Sequence, residues 1–322
     1  MEASETRYVC AVDIGGTKIA AAIMACDGRA VPAAVYEAEV PTCAAEGGEA
    51  VYRRVEAAVL TAVTQAPAAV CGVGVGSAGV VDPHTGCLRY ANDIMPGWGA
   101  IELGPRLQEA SGLPVAVLGD VQAHALGEAS WGAGRGCESV LCLGVGTGIG
   151  GAFVLDGRVV RGFHGAAGHM GHIESGAAAG VACSCGRTGH VESVASGTSI
   201  GRIFDERFGR IHPDRPSVGR DVAELLRAGD GRAEEVAAFS GRALGASLGS
   251  LANILDPQVI VLSGGVVHGM DGAGGSCWRD AVREGFRSQA LDPLLDTPIV
   301  PGALGGMAPL VGAAGHLLDS LA

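Results

Sequence analysis

The chain has 322 residues, of which 48% are hydrophobic and 17% charged, and its formal net charge is −12. That is too much chain for one small core and too apolar a chain for disorder, so two domains of ordinary size are expected. The acidic balance excludes a basic nucleic-acid surface but not a phosphate ligand, which Mg²⁺ and backbone N–H groups can neutralise locally.

Met1 to Thr6 is polar, and the apolar segment from Val9 onward is cut by Asp13 and Lys18, so no secretory signal is expected. No apolar run reaches the roughly 20 residues that span a bilayer, so no membrane partner is expected either. Of ten cysteines, eight are scattered, mostly in apolar runs (Cys10, Cys71, Cys142). There a thiol is a small hydrophobe, as in a reducing cytosol, and the expected location is cytoplasmic.

In chain order, Val9 to Val31 reads as an apolar run, then Asp13-Ile-Gly-Gly-Thr-Lys18, a second apolar run to Ala25, and Asp27-Gly28-Arg29. Helix-like Glu49 to Thr64, a strand at Val70 to Val75, a loop at Asp93 to Gly99, a strand at Val115 to Leu118 and a helix at Val121 to Trp131 follow. Val140 to Val160 then repeats the opening: an apolar run, Gly144 to Gly151 with Thr147 at its centre, apolar Ala152 to Leu155, and Asp156-Gly157-Arg158. Both copies read strand, Gly-Thr turn, strand, Asp-Gly turn, so the chain is predicted to hold two related halves that each open with a β-hairpin. A long helix from about Ala233 ends at Asp256-Pro257, a buried strand at Val259 to Leu262 runs into Ser263-Gly264-Gly265, and Asp271 to Gly275 reads as a loop. This alternation predicts an α/β fold.

A Gly-Thr tip between two strands offers unhindered N–H groups and a hydroxyl, a cradle for phosphate oxygens. Asp13 at the mouth of the first could hold Mg²⁺ through water. Gly264 and Gly265 would let a nucleotide lie against the backbone. Each turn alone could be ordinary turn chemistry; two in repeated positions favour a nucleotide site. Neither is a Walker A loop, and neither runs directly into a helix as a dinucleotide site would.

Asp13-Ile-Gly-Gly-Thr-Lys18 resembles the first phosphate motif of the actin-like ATPase superfamily in its ROK form, and Gly144 to Gly151 resembles the second. Gly165-Ala-Ala-Gly-His-Met-Gly-His172 resembles the ROK GxxGExGH element, and Cys183-Ser-Cys-Gly-Arg-Thr-Gly-His190-Val-Glu192 resembles its CxCGxxGCxE element. The resemblance runs from about Tyr8 to the C-terminus. It implies an actin-like, ribonuclease-H-like α/β fold of two domains: a small one over about 1–120, with a C-terminal helix at 309–322 packed on it, and a large one over about 121–308. The family contains sugar kinases and transcriptional repressors, the latter with a winged helix ahead of the first phosphate motif. That motif starts here at Asp13, so a kinase is expected. The phosphate-binding set is then Asp13, Gly15, Gly16, Thr17, Lys18, Gly146, Thr147, Gly148, Gly264 and Gly265, with ATP and Mg²⁺ as ligands.

His172, Cys183, Cys185 and His190 are spaced H-x10-C-x-C-x4-H. Two Cys and two His suit tetrahedral Zn²⁺, and a closed set of four predicts a structural ion. The fourth position is usually cysteine in the family. The bland alternative is core thiols beside hydrogen-bonded histidines.

A kinase acting on a sugar hydroxyl needs one carboxylate to accept the proton. In the family this is the Asp of an NDxxAA element, and here Gly119-Asp120-Val-Gln-Ala-His-Ala125 follows a strand. Asp120 is the candidate base, although its position also suits a helix cap. Gly119 stands where the family has Asn. Asn92 and Asp93 are weaker sugar-side candidates, since Asn-Asp ahead of Pro96-Gly97 is also turn chemistry. His169 stands where the family's glucokinases have Glu, and an imidazole offers one donor and one acceptor in place of a carboxylate. That form, with Cys-Gly-Arg-Thr-Gly and Gln122, is similar to bacterial N-acetylmannosamine kinases. The resemblance therefore implies sugar contacts from Asn92, Asp93, Asp120, His169, His172 and Glu192. It implies ATP-dependent phosphorylation of a hexose or N-acetylhexosamine 6-hydroxyl, N-acetylmannosamine first. Glucose or another hexose, and a sugar-sensing regulator without turnover, are the alternatives. A zinc-dependent enzyme would need an open coordination position. A homodimer is implied by the resemblance only.

Overall fold

In the computed structural model, which describes residues 6–28, 30–91, 95–270 and 276–322, strands and helices alternate. They are β1 (Arg7–Ile14), β2 (Lys18–Cys26), β3 (Ala33–Pro41), α1 (Gly48–Thr64), β4 (Val70–Ser77), β5 (Val80–Val81), β6 (Leu88–Tyr90), α2 (Leu103–Ser111), β7 (Val115–Gly119) and α3 (Asp120–Trp131). There follow β8 (Ser139–Val145), β9 (Ile149–Leu155), β10 (Arg158–Val159), α4 (Glu192–Ala195), α5 (Gly197–Phe208), α6 (Gly219–Arg227) and α7 (Gly231–Leu255). The chain closes with β11 (Val259–Ser263), α8 (Gly265–Met270), α9 (Ser276–Arg287), β12 (Ile299–Pro301) and α10 (Ala308–Ser320). Among the described residues, no helix is long and apolar enough to cross a membrane.

The chain divides into two units. The first runs to Gly136 and takes in Val154–Gly168 and Ala303–Ala322. Its sheet has the order β3-β2-β1-β4-β7, with β1 and β4 parallel, β4 and β7 parallel, and β1–β2 and β2–β3 antiparallel. Both faces of β1 and β2 are covered, which is why these strands read as continuous apolar runs. Cys10, Val12 and Ile14 pack with Val51, Val55 and Val59 of α1. The alternate residues Val9 and Ala11, with Ala20, Ala22 and Met24, pack with Leu310, Val311, Ala314 and Leu317 of α10.

The sequence placed the end of this domain near 120. The unit instead keeps the whole of α3, because α3 lies against α10 with backbone touching backbone: a Cβ on Gly312 would fall 1.8 Å from the Ala123 carbonyl oxygen. A second tie is Glu128, fully buried, whose carboxylate accepts from the N–H groups of Ala133 at 3.0 Å, Ala303 at 2.9 Å and Leu304 at 2.8 Å. Glu128→Ala leaves three backbone donors without their acceptor in a place water does not reach. We expect it to lower unfolding stability by about 3–5 kcal/mol, read as a drop in the urea midpoint; a loss under about 1 kcal/mol would show that water satisfies these donors.

The second unit comprises Cys137–Phe153 and His169–Gly302. The second sheet runs β10-β9-β8-β11-β12, with β11 parallel to both β8 and β12. This order retraces that of the first sheet: a hairpin, a third strand outside it, then two strands on the other side. The repeat in the sequence is thus a repeat of topology. The turn between β9 and β10 is the Asp156-Gly157 pair with φ of 51° and 72°, the double positive φ of a type I′ hairpin. The core of the second unit joins Leu141, Leu143 and Val145 to Ile260 and Leu262, under Phe204, Leu244, Trp278 and Phe286.

Candidate active site

In the first unit the parallel strands β1, β4 and β7 end along one edge. Asp13 is paired with Gly76, and Ser77 with Gly119. A Cβ on Gly76 would lie 3.6 Å from Asp13 Oδ1 and 3.6 Å from Asp120 Cα, so the two acidic residues stand on either side of a residue with no side chain. Burial pushes the Asp13 carboxyl up to about 7, the negative charge of Asp120 adds to this, and Lys18 offsets part of it. The C-terminal edge of parallel strands is where α/β sheets bind ligands.

Asp120 is the first residue of its helix, not the capping residue before it. Gly119 is the capping residue, and it has no side chain to offer; its N–H is taken by Gln122 Oε1 at 3.2 Å, while Asp120 Oδ1 accepts from the Val121 N–H at 2.8 Å. The same Gln122 donates from Nε2 to the carbonyls of Gly165 at 3.3 Å and Ala167 at 3.2 Å. One buried amide therefore ties the turn before Asp120 to the loop that leads towards His169. Gly119 sits at φ −63°, ψ 148°, open to any residue, and an added Cβ would meet nothing closer than 3.5 Å. A Cβ at this position would thus be in ordinary contact with the Gln122 side chain.

Both Gly-Thr tips are pinned in the same way. In the first, Thr42 donates from Oγ1 to the Gly15 carbonyl at 2.7 Å and from its N–H to the Thr17 carbonyl at 3.0 Å. In the second, the Gly197 N–H reaches the Gly146 carbonyl at 2.7 Å and Thr198 Oγ1 reaches the Thr147 carbonyl at 2.9 Å. A trans peptide points its N–H away from its C=O. With these carbonyls directed at Thr42, Gly197 and Thr198, the N–H groups of Gly16 and Lys18, and of Thr147 and Gly148, point away from those partners. Gly16, Thr17, Lys18 and Thr147 are exposed. Lys18 forms an ion pair with Glu39 on β3. Gly264, at φ +100°, lies against β8, where a Cβ would fall 2.5 Å from the Val145 carbonyl oxygen; a Cβ on Gly265 would meet nothing within 4 Å. Thr42, Gly197 and Thr198 were not singled out from the sequence, where isolated threonines and glycines in turns carry no signal of their own.

In the second unit His172, Cys183, Cys185 and His190 bring their ligand atoms within 4.8 Å of one another. Cys183 Sγ is 3.5 Å from His172 Nδ1 and Cys185 Sγ is 3.3 Å from His190 Nδ1. Tetrahedral ligation with ordinary Zn–S and Zn–N lengths puts a sulfur and a nitrogen about 3.6 Å apart, so the donor set fits a small cation. The turn that carries the two cysteines is closed by backbone bonds: the Cys183 N–H donates to Arg187 O, the Gly186 N–H donates to Cys183 O, and Gly186 has φ +81°. Burial holds His172 below its ordinary pKa, which favours the neutral imidazole that ligates. A backbone hydrogen bond from Arg187 leads the groups that lower the Cys185 thiol, while burial raises Cys183.

His169 is exposed, and its ring stacks on His172 with centroids 6.2 Å apart and 19° between planes. Glu192 is already engaged: Oε2 accepts from the Ile149 N–H at 2.8 Å and Oε1 from Ser184 Oγ at 2.7 Å. Asn92 and Asp93 lie outside the described residues.

A family model described as the ROK family matches residues 9–319. A glucokinase of Halalkalibacterium halodurans is 32% identical over 302 residues, 90% of this chain and 88% of that protein. An N-acetylmannosamine kinase of Yersinia pseudotuberculosis is 33% identical over 257 residues, 80% of this chain and 82% of that one. Among solved structures, a ROK hexokinase from Thermus thermophilus superposes with a TM-score of 0.83 at 36% identity, covering 98% of this chain and 99% of the other. A ROK family glucokinase from Streptomyces griseus, solved with glucose and AMPPNP, does so with a TM-score of 0.78 at 31% identity over 96% and 98%. The chain belongs to the ROK family, as a sugar kinase, with the two-domain actin-like fold of that family.

Proposed function

We propose that the chain transfers the γ-phosphoryl group of Mg-ATP to the 6-hydroxyl of N-acetylmannosamine. The observation that carries the kinase chemistry is the placing of Asp13 and Asp120 at one strand edge on either side of Gly76. In this reading Asp120 accepts the proton of the sugar hydroxyl as its oxygen attacks phosphorus and the bond to the ADP oxygen breaks. The N–H groups of Gly16 and Lys18 would hold phosphate oxygens, and so would those of Thr147 and Gly148. Asp13, costly to ionise without a cation, would hold Mg²⁺ through water, and that ion neutralises phosphate charge when bound. The Cys/His cluster would hold a structural Zn²⁺ that braces the loop between His172 and Glu192.

The choice of sugar rests on His169. Its imidazole replaces a carboxylate, which eases burial of an amide beside it, and its ring is oriented by stacking on His172. A second reading has a specific basis: the relatives include a glucokinase at much the same identity as the N-acetylmannosamine kinase. Coupled ADP release with N-acetylmannosamine, N-acetylglucosamine, glucose and mannose separates them. We expect kcat/KM for N-acetylmannosamine to exceed that for glucose by about tenfold or more. A preference for glucose would discard the His169 argument and keep the kinase. Sugar binding without turnover would favour the regulator.

A further inference from the structure

The Cys/His turn and the second Gly-Thr tip share one carboxylate. Glu192 opens α4, directly after the turn. Its Oε2 accepts from the Ile149 N–H at 2.8 Å, at the start of β9, and it fills the space beside Gly148, where a Cβ would fall 2.7 Å from it. Its Oε1 accepts at 2.7 Å from the hydroxyl of Ser184, the residue between Cys183 and Cys185. The backbone carbonyl of Glu192 is bound in turn by Ser199 Oγ at 2.7 Å, on the helix whose first residues, Gly197 and Thr198, pin the Gly146 and Thr147 carbonyls. Hydrogen bonds through Glu192 and the start of α5 therefore join the Cys/His turn to the second Gly-Thr tip.

We propose that Ser184 is a positioning residue for nucleotide binding: through Glu192 it sets the second tip, so the Cys/His turn governs nucleotide affinity as well as the sugar side. This rests on the kinase reading above for the identity of the ligand. The physical basis is that a carboxylate bonded on both oxygens has one orientation, whereas without the Ser184 hydroxyl Oε1 keeps only the long contact with Cys183 Sγ at 4.0 Å and turns towards water. Bonds to an ionised acceptor are the stronger class and the more sensitive to loss. Ser184 is exposed and makes no part of the core, so replacing it does not threaten the fold.

The test compares the full chain with Ser184→Ala and Ser184→Thr. Metal content is read by mass spectrometry, Mg-AMPPNP affinity by calorimetry, and exchange of the Ile149 amide by hydrogen–deuterium exchange. In Ser184→Ala we expect metal content to stay at the wild-type level, Ile149 exchange to quicken, and the Kd for Mg-AMPPNP to rise about three- to tenfold, the size of one charge-assisted hydrogen bond at a wet site. Ser184→Thr, which keeps the hydroxyl, should restore both. Unchanged exchange and a Kd within twofold of a wild type that does bind nucleotide would overturn the strut and leave the kinase reading standing. A wild type that binds no Mg-AMPPNP would overturn both. Loss of metal from Ser184→Ala would also overturn it, since the effect would then run through the ion and not through Glu192.

Discussion

Asp120→Asn should lower kcat by about 10²–10⁴-fold, the usual worth of a positioned general base, while leaving the melting temperature and the sugar Kd close to wild type. The reason is local. Asp120 Oδ1 accepts the Val121 N–H, a bond that an amide oxygen can also accept. The bond from the Gly119 N–H to Gln122 Oε1, at the turn that enters α3, is untouched. The substitution also removes a negative charge beside Asp13, which should then ionise more easily. So a loss of turnover cannot be ascribed to an unfolded helix. Stopped-flow ADP release with calorimetric sugar binding checks this. Near wild-type kcat would remove Asp120 from the chemistry, and loss of sugar binding together with the melting temperature would make it a structural residue.

Cys183→Ser with Cys185→Ser should release about one metal ion per chain, because a serine hydroxyl does not supply the thiolate that the ion needs. If the ion is held at a free concentration about 1,000 times its Kd, its loss removes about 4 kcal/mol of stability. For a chain of this size that is a drop in Tm on the order of 10 °C. The effect should begin locally. Ser175 and Val191 are tied across the turn to Gly189 and Ile173, and Glu174 bridges to His190, so freeing the ligands loosens the segment that carries His169, His172 and Glu192. Unchanged metal content in the double variant would sink the assignment of these cysteines as ligands.

Much of this was legible because buried parallel strands and glycine turns leave strong marks. β1 and β8 show as apolar runs since both faces are covered, and Asp156-Gly157 shows as a hairpin since few other pairs accept two positive φ values. β3 left no mark: it lies at the sheet edge, its side chains are exposed or half-exposed, and Ala33 to Pro41 carries no core pattern. The four metal-ligand candidates could be found from residue type and spacing because they are close in sequence. The pinning threonines, Thr42 and Thr198, act on turns 25 and more residues away and cannot be inferred without the fold. Asp120, read from the sequence as the base candidate in a position that also suits a cap, is the first residue of its helix, and the capping position falls to Gly119. A helix N-terminus preceded by glycine can be capped from inside the helix, here by Gln122, and sequence does not distinguish the two arrangements.

The identity of the product is the most direct test of the kinase chemistry. The protein would be incubated with Mg-ATP and N-acetylmannosamine, or glucose, and followed by ³¹P nuclear magnetic resonance. The prediction is a sugar monophosphate whose phosphorus couples to the two protons on carbon 6, appearing in step with ADP. Release of inorganic phosphate without a sugar phosphate, or no consumption of ATP with any hexose tested, would contradict it.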